Sequence, residues 1–186
     1  MKRIRKTVSF WMLMLTGGIL LFGSCNKPKV SCFSYQRPPK GGWEQHYELT
    51  FPIDTIRQGG NYHLALLLRT TARYPFQSLW LQVRTEWQNP YSCRTDTLRC
   101  QLTDKQGRPL GQGMQLRQTA HLLWQGCVGE GRWGTVTVRH IMRRGILPGV
   151  PEVGVWLGQG LPPSAFGKES RRFRSWAKSE EYFLAP

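Results

Sequence analysis

The residue of this chain whose surroundings best suit covalent chemistry is a cysteine near the start. Cys25 follows the small residues Gly23 and Ser24, which come after an apolar run, residues 10–22, and the basic opening "MKRIRK". A basic segment, a short apolar segment and small residues before a cleavage point form, in that order, an exported signal peptide. The apolar run is too short to cross a hydrocarbon core of ~30 Å comfortably at ~1.5 Å per residue, so a permanent transmembrane helix is the weaker alternative. The sequence therefore predicts that residues 1–24 are a signal peptide.

The thiol at the predicted cleavage point is placed to receive a lipid. The segment "LLFGSC" resembles a bacterial lipobox, whose cysteine is alkylated by a diacylglycerol before the peptidase cuts beside it. Phe22 stands where that pattern prefers leucine, and plain secretory cleavage is the alternative. Since buried acyl chains contribute ~0.8 kcal/mol per CH2, several chains would hold the protein on a membrane almost permanently. We predict lipidation at Cys25 and a membrane-anchored location in the cell envelope.

The cysteines after Cys25 are even in number, which permits two disulfides in an oxidising compartment. They are Cys32, Cys93, Cys100 and Cys127. Closeness in sequence favours Cys93 with Cys100, which leaves Cys32 with Cys127, and free buried cysteines are the alternative. The spacing "CRTDTLRC" lacks the short gaps of zinc sites and has no histidine pair nearby, so no metal site is predicted.

The chain without its signal peptide is strongly basic. Residues 1–24 hold four of the 26 basic residues and none of the 11 acidic ones, which leaves 22 minus 11, or +11. The positive charges are scattered rather than concentrated on one helix or interleaved with aromatic residues, which argues against nucleic-acid binding. Attraction to anionic lipid headgroups, cell-wall polymers or acidic proteins is the simpler interpretation.

Most of the remaining sequence alternates between apolar and polar residues, as half-buried strands do. The alternating segments include "YELTF", "YHLALLL", "LWLQVRTEW", "WGTVTVRH" and "EVGVWLG", and turn signals such as "NP" and "DKQG" separate them. No long amphipathic helical run lies between them. The pattern predicts an all-β fold, a single antiparallel β-sandwich domain over residues 43–160. Residues 25–42 are expected to be a flexible tether, and residues 161–186 a polar tail in which 168–178 could form a short helix.

The tryptophan content is the strongest indication of a binding surface, because eight tryptophans are more than an ordinary core of this size needs. Trp80 alternates with Leu79 and Leu81, so it should face away from the core, on the same side as Arg84. Exposed aromatic rings on a β-sandwich stack on sugars or fill a partner's pocket. Trp80 and Arg84, with Tyr74 in the preceding turn, form a candidate interaction surface, unless both faces of the strand are covered.

Catalytic signals are missing from the sequence. The acidic residues are dispersed, the four histidines are far apart, and no G-x-S-x-G elbow occurs. Glycine-rich stretches such as "GQG" are single turns without a following helix to bind a phosphate. We therefore predict no catalytic residue, no cofactor and no enzymatic activity.

Three blocks, in order along the chain, resemble the gliding motility lipoprotein GldH family. They are "NYHLALLLRTTARYPFQSLWLQV", "DTLRCQLTDKQGRPLGQG" and "IMRRGILPGVPEVGVWL", and the resemblance covers residues 62–157 and includes the lipobox. The matching positions are Arg69, Thr70, Tyr74, Pro75, Leu79, Asp96, Thr97, Leu98, Leu102, Asp104, Gly107, Leu110, Gly111, Gly113, Met142, Arg143, Leu147, Pro148, Gly149, Val153 and Gly154. Phe76, Ser78, Thr103 and Gly145 depart from the family's usual residues.

The resemblance implies a membrane-anchored, non-enzymatic accessory of the gliding motility machinery, which is linked to protein secretion. Its expected partners are the membrane, through the N-terminal lipid, and other proteins of the gliding or secretion machinery. "CNKPK" lacks the acidic run that often follows the cysteine of surface-exported lipoproteins, so the periplasmic face is favoured. The alternative is a periplasmic glycan-binding β-sandwich module that uses exposed tryptophans.

Overall fold

The computed structural model describes residues 30–160, which form ten β-strands and no helix. The strands are β1 (Val30–Gln36), β2 (Trp43–Glu44), β3 (Leu49–Ile53), β4 (Gly60–Thr70), β5 (Ser78–Gln88), β6 (Ser92–Gln101), β7 (Arg117–Val128), β8 (Trp133–His140), β9 (Ile146–Leu147) and β10 (Glu152–Gly158). Within this range no helix is available that is long and apolar enough to cross a bilayer.

Eight of these strands make two four-stranded sheets that pack face to face. Sheet I has the order β1-β10-β4-β7 and sheet II the order β3-β8-β5-β6, while β2 and β9 form a short separate pair. Every neighbouring pair is antiparallel. The predicted all-β antiparallel sandwich is therefore confirmed.

Strand alternation explains the core between the sheets. In β5 the side chains of Leu79, Leu81 and Val83 are fully buried, whereas those between them point outward. Leu64, Leu66 and Leu68 do the same from β4 on the facing sheet. Full burial of each such side chain contributes roughly 1.5–3 kcal/mol, so the period-two pattern holds the two layers together.

The two sheets differ in what their outer faces carry. On sheet I the outward side chains Ala65, Leu67, Ala120 and Trp156 form a second apolar cluster, and Trp156 exposes no surface. The outer face of sheet II carries polar and charged side chains at the alternate positions of its strands. Sheet II is therefore the polar, accessible side of the sandwich.

The structure corrects the extent of the predicted tether. Residues 30–36 are not a flexible linker but β1, which pairs along the edge of β10 and points Cys32 into the core. The prolines and lysines on both sides of this strand hide its short alternation, which is why composition alone misses it. The predicted signal peptide, Cys25 and the tail at 161–186 lie outside the described residues.

The sandwich has two distinct ends. The Val30 end holds the start of β1 and the loops at residues 54–59, 89–91 and 129–132; in it Val30 pairs with Gly158 and β4 begins beside the end of β7. The Trp80 end holds the start of β5 and the loops at 71–77 and 141–145. β1 starts at one end of the sandwich and β5 at the other, so Val30 and Trp80 lie at opposite ends.

Candidate functional site

Trp80 lies on the outer face of sheet II, at the start of β5. Its neighbours Leu79 and Leu81 are fully buried, whereas Trp80 is 41% exposed. The ring is large and apolar, so this exposure leaves an apolar surface to which a partner can bind.

Trp80 forms one wall of an apolar groove, named here the Trp80 groove, with a volume of about 490 Å3. The loop after β8 supplies the opposite wall. The N–H of Ile141 donates to the Trp80 carbonyl at 3.0 Å, and the Trp80 N–H donates to Sδ of Met142 at 3.4 Å, so the loop is fastened beside β5. The lining residues are Phe76, Trp80, Ile141, Met142, Arg143 and Arg144.

The groove is flanked by positive charge that no ion pair within residues 30–160 neutralises. Arg143 and Arg144 are exposed in its lining, and the guanidinium of Arg99 lies over the Trp80 ring, 5.7 Å from its centroid. Among residues 30–160 none of these three arginines forms an ion pair. Apolar walls beside unpaired cations suit a ligand that combines an apolar group with carboxylates.

Arg84 lies on the same face as Trp80 but in a separate, polar cleft of about 430 Å3. Four residues of extended strand put the two side chains ~13 Å apart. The guanidinium of Arg84 pairs with Glu86 at 2.6 Å, and Arg139 donates to Gln82 at 2.7 Å. The cleft is lined by Glu48, Gln82, Arg84, Cys93, Thr95, Thr137 and Arg139. The structure therefore places Trp80 and Arg84 on one face without joining them in one site.

Tyr74 has a supporting position rather than an exposed one. Its hydroxyl donates to the Ser78 carbonyl at 2.9 Å, and its ring packs edge-on against Phe76, with centroids 5.7 Å apart. Burial raises the pKa of this phenol well above its ordinary range. Gly149, with φ 79°, lets another loop approach closely, since a Cβ there would lie 2.3 Å from the Tyr74 nitrogen. Tyr74 thus fixes the loop that carries one wall of the groove.

Several groove residues have no clear signal in the sequence. Arg99 reaches Trp80 because the two are direct partners across β5 and β6, and that register is visible only in the folded sheet. Arg143 and Arg144 belong to a loop whose position depends on backbone hydrogen bonds to β5 and on a bond from Gln45 N–H to the Gly145 carbonyl at 2.8 Å. The run "IMRR", apolar then basic, is the one sequence hint of such a surface.

The predicted disulfides are corrected by the strand geometry. All four cysteines of the described range are free, with Cys32 and Cys100 buried and Cys93 and Cys127 exposed. Cys93 and Cys100 both lie on β6, where seven residues of extended chain separate them by ~23 Å, far beyond the ~7 Å limit for a bridge. Cys32 and Cys127 lie on β1 and β7, at opposite edges of sheet I, and Cys32 points into the core.

Groups suited to acid–base chemistry do not converge in either cleft. Of the residues from 30 to 160 that line the two clefts, Glu48 is the single carboxylate, and none is a histidine. His140 is buried, with Nε2 2.9 Å from the Trp43 carbonyl, and burial lowers its pKa. No cluster of His, Cys, Asp or Glu that could hold a metal occurs between residues 30 and 160.

Comparison with known proteins gives a family match and weak structural likenesses. The family model for the GldH lipoprotein matches residues 31–157. The gliding motility lipoprotein GldH of Flavobacterium johnsoniae is 27% identical over 139 residues, which cover 74% of this chain and 85% of that protein. A family 35 carbohydrate binding module from Clostridium thermocellum matches with a TM-score of 0.33 and 9% identity, over 68% of this chain and 89% of that one. Eiger TNF from S. frugiperda matches with a TM-score of 0.32 and 8% identity, over 73% of this chain and 94% of that one. Structural likenesses this low carry no conclusion about function.

Proposed function

Because this chain belongs to the GldH lipoprotein family, we propose that it is a lipid-anchored, non-enzymatic component of the gliding motility machinery that binds another protein of that machinery through the Trp80 groove. The lipid is attached at Cys25, and the domain faces the periplasm. Through its partner the protein also serves the secretion apparatus linked to gliding.

The observation that carries this proposal is that the Trp80 groove combines apolar walls with arginines that form no ion pair within the described residues 30–160. Tryptophan and arginine are the residues that most often dominate the binding energy of protein interfaces. Here both occur on one accessible surface, and Arg99 already lies over the Trp80 ring. The complementary partner is a protein segment that presents an aromatic or aliphatic side chain next to aspartates or glutamates.

The test is affinity purification of the membrane-extracted, full-length protein, followed by mass spectrometry. We expect the wild type to retain a defined envelope protein and Trp80→Ala to lose it. Phe33→Ala is the matched control, because Phe33 is also an exposed aromatic residue, at 56%, but lies on sheet I. If Trp80→Ala retained the same partner, the Trp80 groove would not be the binding surface. Deletion of the protein should abolish gliding or protein secretion.

Glycan binding is a second candidate function, supported by the exposure of Trp80 and by the polar side chains of the neighbouring cleft. It ranks second because Arg99 already occupies space over the ring on which a sugar would stack. Glycan binding would become the favoured function if the protein bound cell-wall glycan fragments, Trp80→Ala lost that binding, and no protein partner was recovered.

A further inference from the structure

The start of β1 fixes which end of the sandwich lies nearest to the lipid. Val30 follows Cys25 by five residues, and an extended chain spans at most ~3.6 Å per residue, so their Cα atoms are separated by no more than about 18 Å. Val30 pairs with Gly158 at the Val30 end. A lipid on Cys25, which is part of the proposed function, therefore holds this end close to the bilayer surface.

Two of the most exposed aromatic residues lie at this same end. Tyr91 is 63% exposed in the loop between β5 and β6, and Trp133 is 51% exposed at the start of β8. Neither ring contributes to the core between the sheets. Tyrosine and tryptophan are enriched at membrane interfaces, because their rings are apolar while their hydroxyl and N–H groups stay hydrated.

Hydrogen bonds connect the loops that carry or adjoin these aromatic residues. The N–H of Ile56 donates to the Arg132 carbonyl at 2.7 Å, and that of Gly131 to the Ile56 carbonyl at 2.8 Å. The Arg132 guanidinium reaches the Pro90 carbonyl at 3.1 Å and Ser92 Oγ at 2.7 Å. The three loops of the Val30 end are therefore joined; Tyr91 belongs to one of them, and Trp133 directly follows another.

The charges at this end do not oppose contact with an anionic surface. Asp54 and Glu130 are balanced by Arg57 and Arg132 in the same loops. The sequence between Cys25 and Val30 adds two positive charges, Lys27 and Lys29. Basic residues beside a lipid anchor are attracted to anionic headgroups.

We propose that the Val30 end rests on the membrane, with Tyr91 and Trp133 at the boundary between headgroups and acyl chains. The partner that this surface fits is a lipid bilayer. The opposite end then points away from the membrane: Gln88 follows Trp80 by eight positions along β5, a span of ~26 Å at ~3.3 Å per position. The Trp80 groove is held at that distance, where a second envelope protein can reach it.

The test uses full-length, membrane-extracted protein in vesicles of phosphatidylethanolamine and phosphatidylglycerol. A photo-crosslinking phenylalanine analogue replaces Trp133, Tyr91 or, as a matched control, Trp80, which is of similar size and exposure but lies at the other end. We expect lipid adducts at positions 133 and 91 to exceed those at position 80 at least fivefold after irradiation. Equal yields at the three positions, or crosslinks from position 133 to protein instead of lipid, would overturn the proposed orientation.

The mass of the N-terminal peptide, measured on the same samples, separates this proposal from the proposed function. If Cys25 is diacylated but positions 133 and 91 give no lipid adducts, the proposed orientation is wrong and the proposed lipid anchor stands. An unmodified N-terminal peptide removes the anchor and, with it, the reason for this orientation.

Discussion

The guanidinium carbon of Arg99 lies 5.7 Å from the centroid of the Trp80 ring, because the two residues are direct partners across β5 and β6. This cation–π contact contributes roughly 0.5–1 kcal/mol at an exposed site, so it favours this orientation of the ring over others. An exposed side chain that is already restricted loses less conformational entropy when a partner binds. The pair therefore prepares the groove wall for an interface.

Reversal of the groove charges should weaken partner binding without unfolding the protein. Arg143→Glu with Arg144→Glu places two carboxylates beside the segment that the groove is proposed to bind, and both side chains are exposed. We expect the affinity to fall about 10- to 100-fold, which corresponds to ~1.4–2.8 kcal/mol. A titration of the purified complex at two salt concentrations measures this. Arg57→Glu with Lys105→Glu changes the net charge equally elsewhere and should have little effect; an equal loss there would point to overall charge rather than to the groove.

Removal of the thiol at position 25 should release the protein from the membrane. Cys25→Ala cannot be alkylated by a diacylglycerol, so the protein should lose metabolic labelling by palmitate and shift to the soluble fraction. Cys127→Ala removes an exposed cysteine from the folded domain and should leave both properties unchanged. Membrane retention and activity of Cys25→Ala would mean that something other than this lipid anchors the protein.

Glu152 should stabilise the fold more than an exposed carboxylate does. It receives hydrogen bonds from Arg69 and Arg37, the latter at 2.8 Å, and its side chain is only 12% exposed. We expect Glu152→Gln to lower the free energy of unfolding by about 1–3 kcal/mol at pH 7, as judged by urea denaturation. Glu86→Gln, which removes a pair with the exposed Arg84, should change it by less than about 1 kcal/mol. Similar losses in both variants would contradict a special role for the buried pairing.

The pH dependence of Glu152 has a defined sign. The hydrogen bond from Arg69, followed by that from Arg37, lowers the pKa of this carboxyl below its ordinary value of 4.5. The folded state therefore prefers the charged form, and this stability is present above the unfolded pKa and lost as the pH falls through the folded pKa. The difference between wild type and Glu152→Gln should shrink below about pH 4.5.

His140 should make the protein less stable below neutral pH. Burial lowers the pKa of its imidazole below 6.5, although the hydrogen bond with the Trp43 carbonyl opposes this, and Nδ1 has no hydrogen-bond partner in the described part of the chain. The folded state thus prefers the neutral ring, so its contribution is present above the unfolded pKa and is lost as the pH falls toward the folded pKa. Urea midpoints should decline from pH 7 to pH 5. His140→Gln keeps an N–H near the position of Nε2 and should flatten the decline of the urea midpoint with pH. An unchanged slope would assign the decline to His63 and His121 instead, whose pKa values burial also lowers.

The free cysteines should react in two classes. Cys93 and Cys127 are exposed and should be alkylated in the native protein, whereas Cys32 and Cys100 should react only after unfolding. Burial raises the pKa of the Cys32 thiol to about 11 and that of Cys100 further, so few thiolates form at pH 8. Mass spectrometry after iodoacetamide treatment counts the modified residues. A reducing agent should leave the melting temperature unchanged; a marked drop would reveal a disulfide.

The sequence predicts local features well, because they depend on neighbours along the chain. The alternation around Trp80 places the ring outward correctly, since Leu79 and Leu81 need burial. Features that depend on the pairing register of two strands cannot be predicted from the sequence in this way. Arg99 reaches Trp80 only through the pairing of β5 with β6, and the cysteine pair suggested by closeness in sequence fails because an extended strand separates Cys93 from Cys100. β1 is missed for a different reason: Cys32 is the one buried residue of its seven, so its alternation is weak and does not stand out between prolines and lysines.

The place of β1 in sheet I has a mechanical consequence for a motility component. A pull between a partner in the Trp80 groove and a lipid on Cys25 would run parallel to the strands, from one end of the sandwich to the other. The tension would reach β1 at Val30 and act along its length, so its hydrogen bonds to β10 would resist in shear, together, rather than open one after another. Attachment at the opposite end of this edge strand would let the same force peel it away.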